Sequence, residues 1–586
     1  MKRFYTLLLT LVASAALFAQ GWPASYSGVM LQGFYWDSYG DTQWSRLKSQ
    51  ADTLSKYYQL IWVPQSGYCN TLENQMGYAD IWWFDQKSAF GTADELKAMI
   101  QTFSSKGLKT IADVVINHKS GNRGWCDFPE ETWEGHGTMT WSYADICNTD
   151  EGNRDPRSEG KGKLTGANDT GTDFDGSRDL DHTSANVQKN IKLYLRFLQE
   201  EMGYAGFRYD MTGGYAPRFT KIYNESANPT YSVGEYWMGD GLGGLKSWID
   251  GTGKTSAAFD FQLKWLINNV FNTGGTQWRN LANYESGSLI GDAAYRRYAV
   301  TFTDNHDTGR SSDNMLKANI EAANAYILTM PGTPCIFLTH WKEYKKAIKK
   351  QILARRLAGV NNQSEVLSSV GENAGYSVSV KGTKGNLLLC LGTTTAATTG
   401  YKLAVEGGNY KLYISDNIDI SSIEEVGEEE NSFTLPPFVT EQEGTYAYFE
   451  KPSNWGNTIN VWAWHNDGSN MYSGNWPGTA SQADVSEAGI HDGKKVYLWK
   501  YGGTLAAPDE IIFNDGTGNQ TSDKDFRNGG YYTLEGLQAV VTGIEAPTMG
   551  VDKPAGDAWY TLSGIRIGKP SAKGIYIHGG RKAIIR

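Results

Sequence analysis

Three acidic residues follow short runs of apolar, β-forming residues: Asp210 in GFRYD, Glu235 in SVGEYW and Asp307 in FTDNHD. A single acid there is most simply a helix cap, since its carboxylate accepts the free N–H groups of the next first turn. Three in succession, with Arg208 two residues before Asp210 and His306 beside Asp307, call for another explanation. Glycoside cleavage needs a carboxylate beside the anomeric carbon and a carboxylic acid beside the leaving oxygen. A pair roughly 5–5.5 Å apart gives retention through a covalent intermediate. Residues two apart in a strand share a face, so Arg208 is expected beside Asp210, lowering its pKa and keeping it ionised as a nucleophile. Glu235 is the better acid, because an apolar wall from Tyr236 and Trp237 would raise its pKa. His118 and His306, each at the end of an apolar run, are placed to bind hydroxyls.

The elements that must hold these groups alternate. Strands are expected over 28–36, 59–64, 110–117, 206–210, 232–237, 257–263, 299–304 and 334–339. They are rich in Val, Ile, Phe, Trp and Tyr, as strands buried on both faces should be. Amphipathic helical stretches lie between them, among them 92–106, 184–201 and 315–329. Eight strands with intervening helices read as an α/β fold, a (β/α)8 TIM barrel that aims the ends of its strands into one cavity. A doubly wound sheet is disfavoured, because no glycine fingerprint follows the first strand. One connection, 118–182, is far too long for a simple turn and is expected as an inserted loop domain between strand 3 and helix 3. After about residue 360 the pattern turns all-β, so β-sandwich domains should follow the barrel.

At this point the sequence resembles the α-amylase family of retaining glycosidases, and closely its plant-type and related bacterial members. DVVINH, GFRYD, VGEYW and TDNHDTG look like four family segments in order, and LQGFYWDS and RDLDH are similar too. The match covers about residues 27–360. It implies endo-hydrolysis of α-1,4-glucan, with Asp210 as nucleophile, Glu235 as general acid/base and Asp307 holding ring hydroxyls. Arg208, His118, His306 and Asp113 would complete the subsite around the cleaved bond, and Tyr78 in NQMGYAD matches a stacking tyrosine. Many members carry Lys, then His or Gly, three and four positions after the nucleophile. Here those positions are Gly213 and Gly214, which puts the hold on the leaving-group side in question. A debranching enzyme or glucanotransferase of the same family is the alternative, separable by products from amylose and pullulan. A non-catalytic starch-binding surface protein is the alternative of another class, and three intact carboxyls argue against it.

The insertion is crowded with Asp150, Asp155, Asp169, Asp173, Asp175, Asp179 and Asp181. Composition alone fits a solvated acidic loop as well as a calcium site of six to eight oxygens. The resemblance of NDTGTDFDGSRDLDH to a plant-type segment implies Ca2+. Asn117, Asp169 and Asp179 would then be ligands, with a backbone carbonyl near Gly214 closing the site. Cys126 and Cys147 lie in the same stretch, and spacing leaves their pairing open.

The acidic stretch within 419–442 reads as a linker between a β domain (360–418) and a second aromatic, Gly-rich region, 443–541. There Trp462 and Trp464 are two apart and should face one side of a strand, with Trp476 in a following turn. Such an array suits stacking on sugar rings, although a core role fits Trp462 equally. The region looks like a starch-binding module in which WPG and IFNDG…QT recur, which implies Trp464, Trp476, Gln520 and, less directly, Trp462 as sugar contacts.

Both ends carry address-like features. Lys2 and Arg3 precede an apolar run ending at Ala19, the pattern of a signal peptide over 1–19, so a secreted chain is expected, extracellular or surface-associated. No later apolar run is long enough for a membrane span. The last 26 residues hold six Lys/Arg and no Asp or Glu. With the connector from 542 they resemble C-terminal sorting segments of secreted bacterial proteins, which implies contact with secretion machinery. The net charge of −10 makes nucleic acid a poor partner. Starch, amylose and maltooligosaccharides are the expected ligands of a monomeric chain.

Overall fold

The computed structural model describes residues 21–69, 76–153, 164–426, 435–453, 455–491, 493–521, 523–534 and 536–541, and the backbone of four short strands beyond them. It divides into two compact units near residue 428. The first is built on eight parallel strands: β1 (Met30–Gln32), β2 (Leu60–Val63), β3 (Lys109–Val114), β4 (Gly206–Tyr209), β5 (Tyr231–Gly234), β6 (Ala257–Phe259), β7 (Ala299–Phe302) and β8 (Thr333–Phe337). They close into a barrel in chain order, with β1 bonded to both β2 and β8. The expected TIM barrel is therefore what forms. Almost every strand residue is buried, because helices cover the outside and side chains such as Trp62, Phe259 and Phe302 fill the inside.

Helices pack around it, among them α1 (Ala51–Tyr57), α2 (Ala93–Ser105), α3 (Ala185–Phe197), α4 (Pro217–Ala227), α5 (Gly241–Gly251), α6 (Phe261–Phe271), α7 (Ile320–Thr329) and α8 (Lys345–Ala358). Helix α2 shows why the local sequence suffices. Thr92 accepts from Glu95 N, Glu95 accepts from Thr92 N in a capping box, and Leu96, Met99, Ile100 and Phe103 make its buried stripe.

Two boundaries differ from expectation for identifiable reasons. The sixth strand stops at Phe259 because Asp260 accepts from Leu263 N at 3.1 Å and caps α6. Helix α7 starts at Ile320 rather than 315, because Lys317 N and Ala318 N bond to the Asn272 side chain instead of to helical carbonyls.

The insertion leaves and returns at one place. His118–Lys119 pairs antiparallel with Arg178–Asp179, so its two ends are clasped beside the mouth of the barrel. Asp155 lies outside the described residues. After the barrel, β9 (Val366–Glu372), β10 (Gly375–Lys381), β11 (Asn386–Gly392), β12 (Tyr401–Gly407) and β13 (Tyr410–Ser415) form one sheet in the order β9-β10-β11-β13-β12.

In the second unit, β14 (Tyr446–Glu450), β16 (Val485–His491), β17 (Lys494–Lys500), β20 (Gly530–Thr533) and β21 (Gly536–Val540) make a five-stranded sheet. A smaller sheet comprises β15 (Asn460–Trp464), β18 (Glu510–Asn514) and β19 (Lys524–Asp525). Phe449, Val461, Trp499, Phe513 and Tyr532 pack between them. The stretch expected as linker is packed at both described ends. Ile423 is buried in the first core, and Val439 lies against Tyr446 and Tyr448 in the second unit. An apolar side chain has more to gain from burial than from a linker's freedom, and the acidic residues between hid both anchors.

The expected signal peptide lies outside the described residues. Of the basic end, only the backbone pairing of Trp559–Tyr560, Arg566–Ile567, Gly574–His578 and Arg581–Ile585 is described. Among the described residues, no helix is long and apolar enough to cross a membrane.

Candidate active site

Asp210 and Glu235 each stand one residue past a barrel strand, β4 and β5, and Asp307 stands in the loop after β7. All three line one open cavity of about 480 Å³ at the mouth of the barrel. None caps a helix through its side chain, in contrast to Asp260. Arg208, on the same face of β4 as Asp210, joins the pair. Its Nη1 donates to Asp210 Oδ1 at 2.7 Å and to Asp113 Oδ1 at 2.8 Å, and Nη2 lies 2.8 Å from Glu235 Oε1. Met211 adopts φ +43°, a left-handed conformation that costs energy for a non-glycine residue and recurs at functional sites. In that conformation its N–H donates to Glu235 Oε2 at 3.1 Å.

The electrostatics correct one expectation. Burial raises the pKa of both Asp210 and Glu235, and the attraction of Arg208 opposes the shift without reversing it. One guanidinium faces Asp113, Asp210 and Glu235, so it cannot neutralise all three when ionised. The interior therefore favours keeping a proton on the cluster, shared by the pair as a unit. The wall beside Glu235 is also half as expected. Trp237 lines the cavity, stacked on Phe261 at 5.1 Å, whereas Tyr236 turns away and donates to Asp240 at 2.6 Å.

Tyr78 and His118 line the cavity as well. Asp113, Arg208 and His306 do not: their side chains are fully buried beneath it, so they position the groups above and do not present surface to a sugar. For Asp113 and His306 the reason is a hydrogen-bonded relay. Gln32 donates to His306 Nδ1 at 3.0 Å, His306 Nε2 meets Tyr78 Oη at 2.7 Å, and Tyr78 donates to Asp113 Oδ2 at 2.9 Å. Trp62 Nε1 adds a further donor to Asp113. This chain sets a neutral His306, and burial pushes its pKa down to about 3. His118 is likewise neutral, pushed to about 4 by burial, with Nε2 on the Tyr78 carbonyl oxygen. Sequence reasoning did not single out Gln32, Trp36, Trp62 or Phe174 for this site. They are ordinary apolar or amide residues, and only closure of the barrel brings them together.

The glycines after Asp210 have tertiary reasons. A Cβ on Gly213 would fall 2.4 Å from Met238 Sδ, so Met238 fills the space that a side chain at this position would enter. A Cβ on Gly214 would fall 1.9 Å from Asn117 Oδ1. That approach brings the Gly214 backbone against the acidic cluster of the insertion, where carboxyl oxygens of Asp169, Asp173 and Asp179 lie within 4.8 Å of one another. Asn117 Nδ2 donates to Asp179 Oδ1 at 3.1 Å. Burial first, and then the charge of Asp169, pushes Asp179 up to about 9. A buried carboxyl, Asp179, facing the half-buried Asp169 and the exposed Asp173 is a poor arrangement for an anion and a fitting one for a hard divalent ion. Asp173 belongs to this group and was not among the expected ligands. Asp181 instead accepts from Ala167 N and Thr183, and Asp150 faces Arg178. Cys147 is a thiol that donates to Asp169 Oδ1 at 3.4 Å, so the pairing with Cys126 that spacing left open does not form.

In the second unit, Val461 and Ala463 of β15 turn into the core, while on the other face Asn460 is buried and Trp462 and Trp464 are half-exposed. Trp476 is 45% exposed and meets Trp462 edge-on at 6.0 Å, so neither is a core residue. Gln520 is exposed on the loop after β18. Asn514 ties these parts together: its side chain donates to the Pro477 carbonyl at 2.9 Å, and its backbone bridges to Gln520.

Comparison with known proteins agrees with this geometry. Residues 61–344 match the family described as "Alpha amylase, catalytic domain", and 447–526 match "Starch-binding module 26". The chain is 30% identical over 407 residues to "Probable alpha-amylase 2" of Arabidopsis thaliana, covering 66% of this chain and 93% of that protein. It is 27% identical to "Glucan 1,4-alpha-maltotetraohydrolase" of Roseateles saccharophilus, over 66% of this chain and 72% of that one. It is 26% identical to "Alpha-amylase" of Bacillus licheniformis, over 57% and 76%. A closed parallel barrel with paired carboxyls at its mouth, a module of the starch-binding kind and relatives of this kind give one result: the chain belongs to the α-amylase family of glycoside hydrolases, enzymes acting on starch.

Proposed function

We propose that the protein is an exported endo-acting α-amylase that cleaves α-1,4-glucosidic bonds with retention. The observation that carries this is the attachment of Asp210 and Glu235 to adjacent nitrogens of one buried guanidinium. That favours the roughly 5–5.5 Å carboxyl pair of a retaining enzyme over the roughly 6.5–9.5 Å pair of an inverting one. Glu235 gives its proton to the glycosidic oxygen as that bond breaks, and an Asp210 oxygen bonds to the anomeric carbon. Glu235, now ionised, takes a proton from water, whose oxygen displaces Asp210 and leaves the α-anomer. Asp307 holds hydroxyls of the ring undergoing attack. Trp237 and Met238 make the leaving-group side apolar where a lysine is absent. Proton NMR of freshly cleaved maltoheptaose should show the α-anomer first; a β-anomer, or no cleavage, would refute the proposal.

Calcium is proposed as the resident ion of the insertion, with Asp169, Asp173, Asp179, Asn117 Oδ1 and the Gly214 carbonyl as its holders. When bound it supplies charge neutralisation and joins the insertion to the loop after the nucleophile. The charged and apolar pattern of residues 1–19 supports export, and the basic end supports engagement of secretion machinery.

Trp462, Trp464, Trp476 and Gln520 are proposed as the starch contacts of the module. A weak module tethered to an enzyme raises its effective concentration at a granule. Trp476→Ala should weaken adsorption to granular starch about tenfold, in line with loss of one exposed aromatic anchor. Turnover of soluble starch should not change. Undiminished adsorption of a Trp464→Ala, Trp476→Ala double variant would refute the assignment.

A further inference from the structure

We infer that Arg310 contacts the substrate, donating hydrogen bonds to the sugar ring that meets Asp307; this rests on the reading of the cavity as a glucan site. Arg310 lines the cavity, and no role described above uses it. Its Nη2 donates to Asp307 Oδ1 at 2.9 Å, yet its side chain stays 47% exposed. The centre of its guanidinium lies 3.3 Å from the Trp36 ring centre. Trp36 lies parallel to Tyr78, 5° between planes, and Tyr78 to His306, 12°. Trp36 also lies nearly parallel to His306, 6.1 Å away, so Arg310 covers the outer ring of a cluster of three near-parallel rings anchored on a buried histidine, and this contact holds the guanidinium over Trp36.

A guanidinium carries five N–H donors in a rigid fork, and Asp307 takes only one of them. The rest leave donors next to a carboxylate acceptor. Neighbouring hydroxyls of a glucose ring match that pair, one donating to Asp307 and the next accepting from Arg310. An ion pair this exposed adds little to stability, so its consequence lies in where it places the donors. Arg310 covers one face of Trp36, which still lines the cavity, and so adds hydrogen-bond donors to that part of the cleft.

Arg310→Ala and Arg310→Lys should be assayed with maltoheptaose beside the unaltered enzyme, with melting temperatures measured on all three. Loss of a charged hydrogen bond to bound substrate predicts an Arg310→Ala KM about tenfold higher. Turnover should stay within about twofold, because binding lost equally from ground and transition states appears in KM. Arg310→Lys should recover part of the loss through its charge, and neither variant should melt differently. An unchanged KM in both variants overturns the inference. So does a KM rise that tracks a fall in melting temperature in both, since that marks a structural prop. An unaltered enzyme that is inactive on maltoheptaose removes the glucan reading of the cavity, and this inference with it.

Discussion

Replacing Asp210 with Asn, or Glu235 with Gln, is expected to abolish hydrolysis of soluble starch while making the folded protein more stable near neutral pH. The first effect follows from the chemistry. Asparagine cannot form the glycosyl ester and glutamine cannot deliver a proton, and loss of a positioned acid or base alone costs about 10²–10⁴-fold in rate. Turnover in each variant should fall at least about 10³-fold, measured as reducing ends released. The second effect follows from burial. Both carboxyls have folded-state pKa values above their ordinary ones. Ionisation therefore favours the unfolded chain, and the stability they permit in acid is lost as pH rises above about 4, where unfolded carboxyls ionise. An uncharged amide does not pay this penalty. The melting temperature of either variant should exceed that of the unaltered enzyme by a margin that grows from pH 4 towards 7. Glu235→Gln with full turnover would end the catalytic assignment. A margin that shrinks as pH rises would end the electrostatic account of the pair.

Stripping calcium should lower the melting temperature of the protein by about 5 °C. An ion present at about 100–1,000 times its dissociation constant stabilises the folded state by about 2.7–4.1 kcal/mol, and a large domain converts each kcal/mol into a few degrees at most. The sharper test uses Asp179. With no cation beside it, this carboxyl is pushed to about 9 by burial and by Asp169. In chelator, therefore, stability should decline as pH rises from about 4 towards 9, the window between the unfolded and folded pKa values. Asp179→Asn should flatten that decline in chelator, yet be the less stable protein in calcium, since it has lost a ligand. The order of the two melting temperatures should thus reverse between conditions. A melting temperature unaffected by excess chelator would rule out the ion, and an unreversed order would rule out Asp179 as its ligand.

What could be read from residues alone followed the periodicity of the backbone. Thr92 and Glu95 mark the start of a helix because capping is a local contact. Arg208 meets Asp210 because positions two apart share a strand face, and the same rule puts Trp462 and Trp464 on one side of β15. The burial of Asp113 and His306 was not legible, since their neighbours Trp62, Gln32 and Tyr78 come from other turns of the barrel. Cys147 was open to a disulfide by spacing, and only the folded insertion shows its thiol spent on Asp169. Tyr236 and Trp237 are adjacent in sequence and equally apolar, yet one turns to Asp240 and the other to the cavity.

The sequence by itself determined the kind of fold and the three carboxyls that matter, because strand ends in a barrel point one way whatever else surrounds them. Only the tertiary structure decided how readily Asp210 and Glu235 ionise. Arg208 does sit beside Asp210 as the spacing implies, but spacing carries no measure of burial. Removal from water outweighs the attraction of one guanidinium shared among three carboxyls.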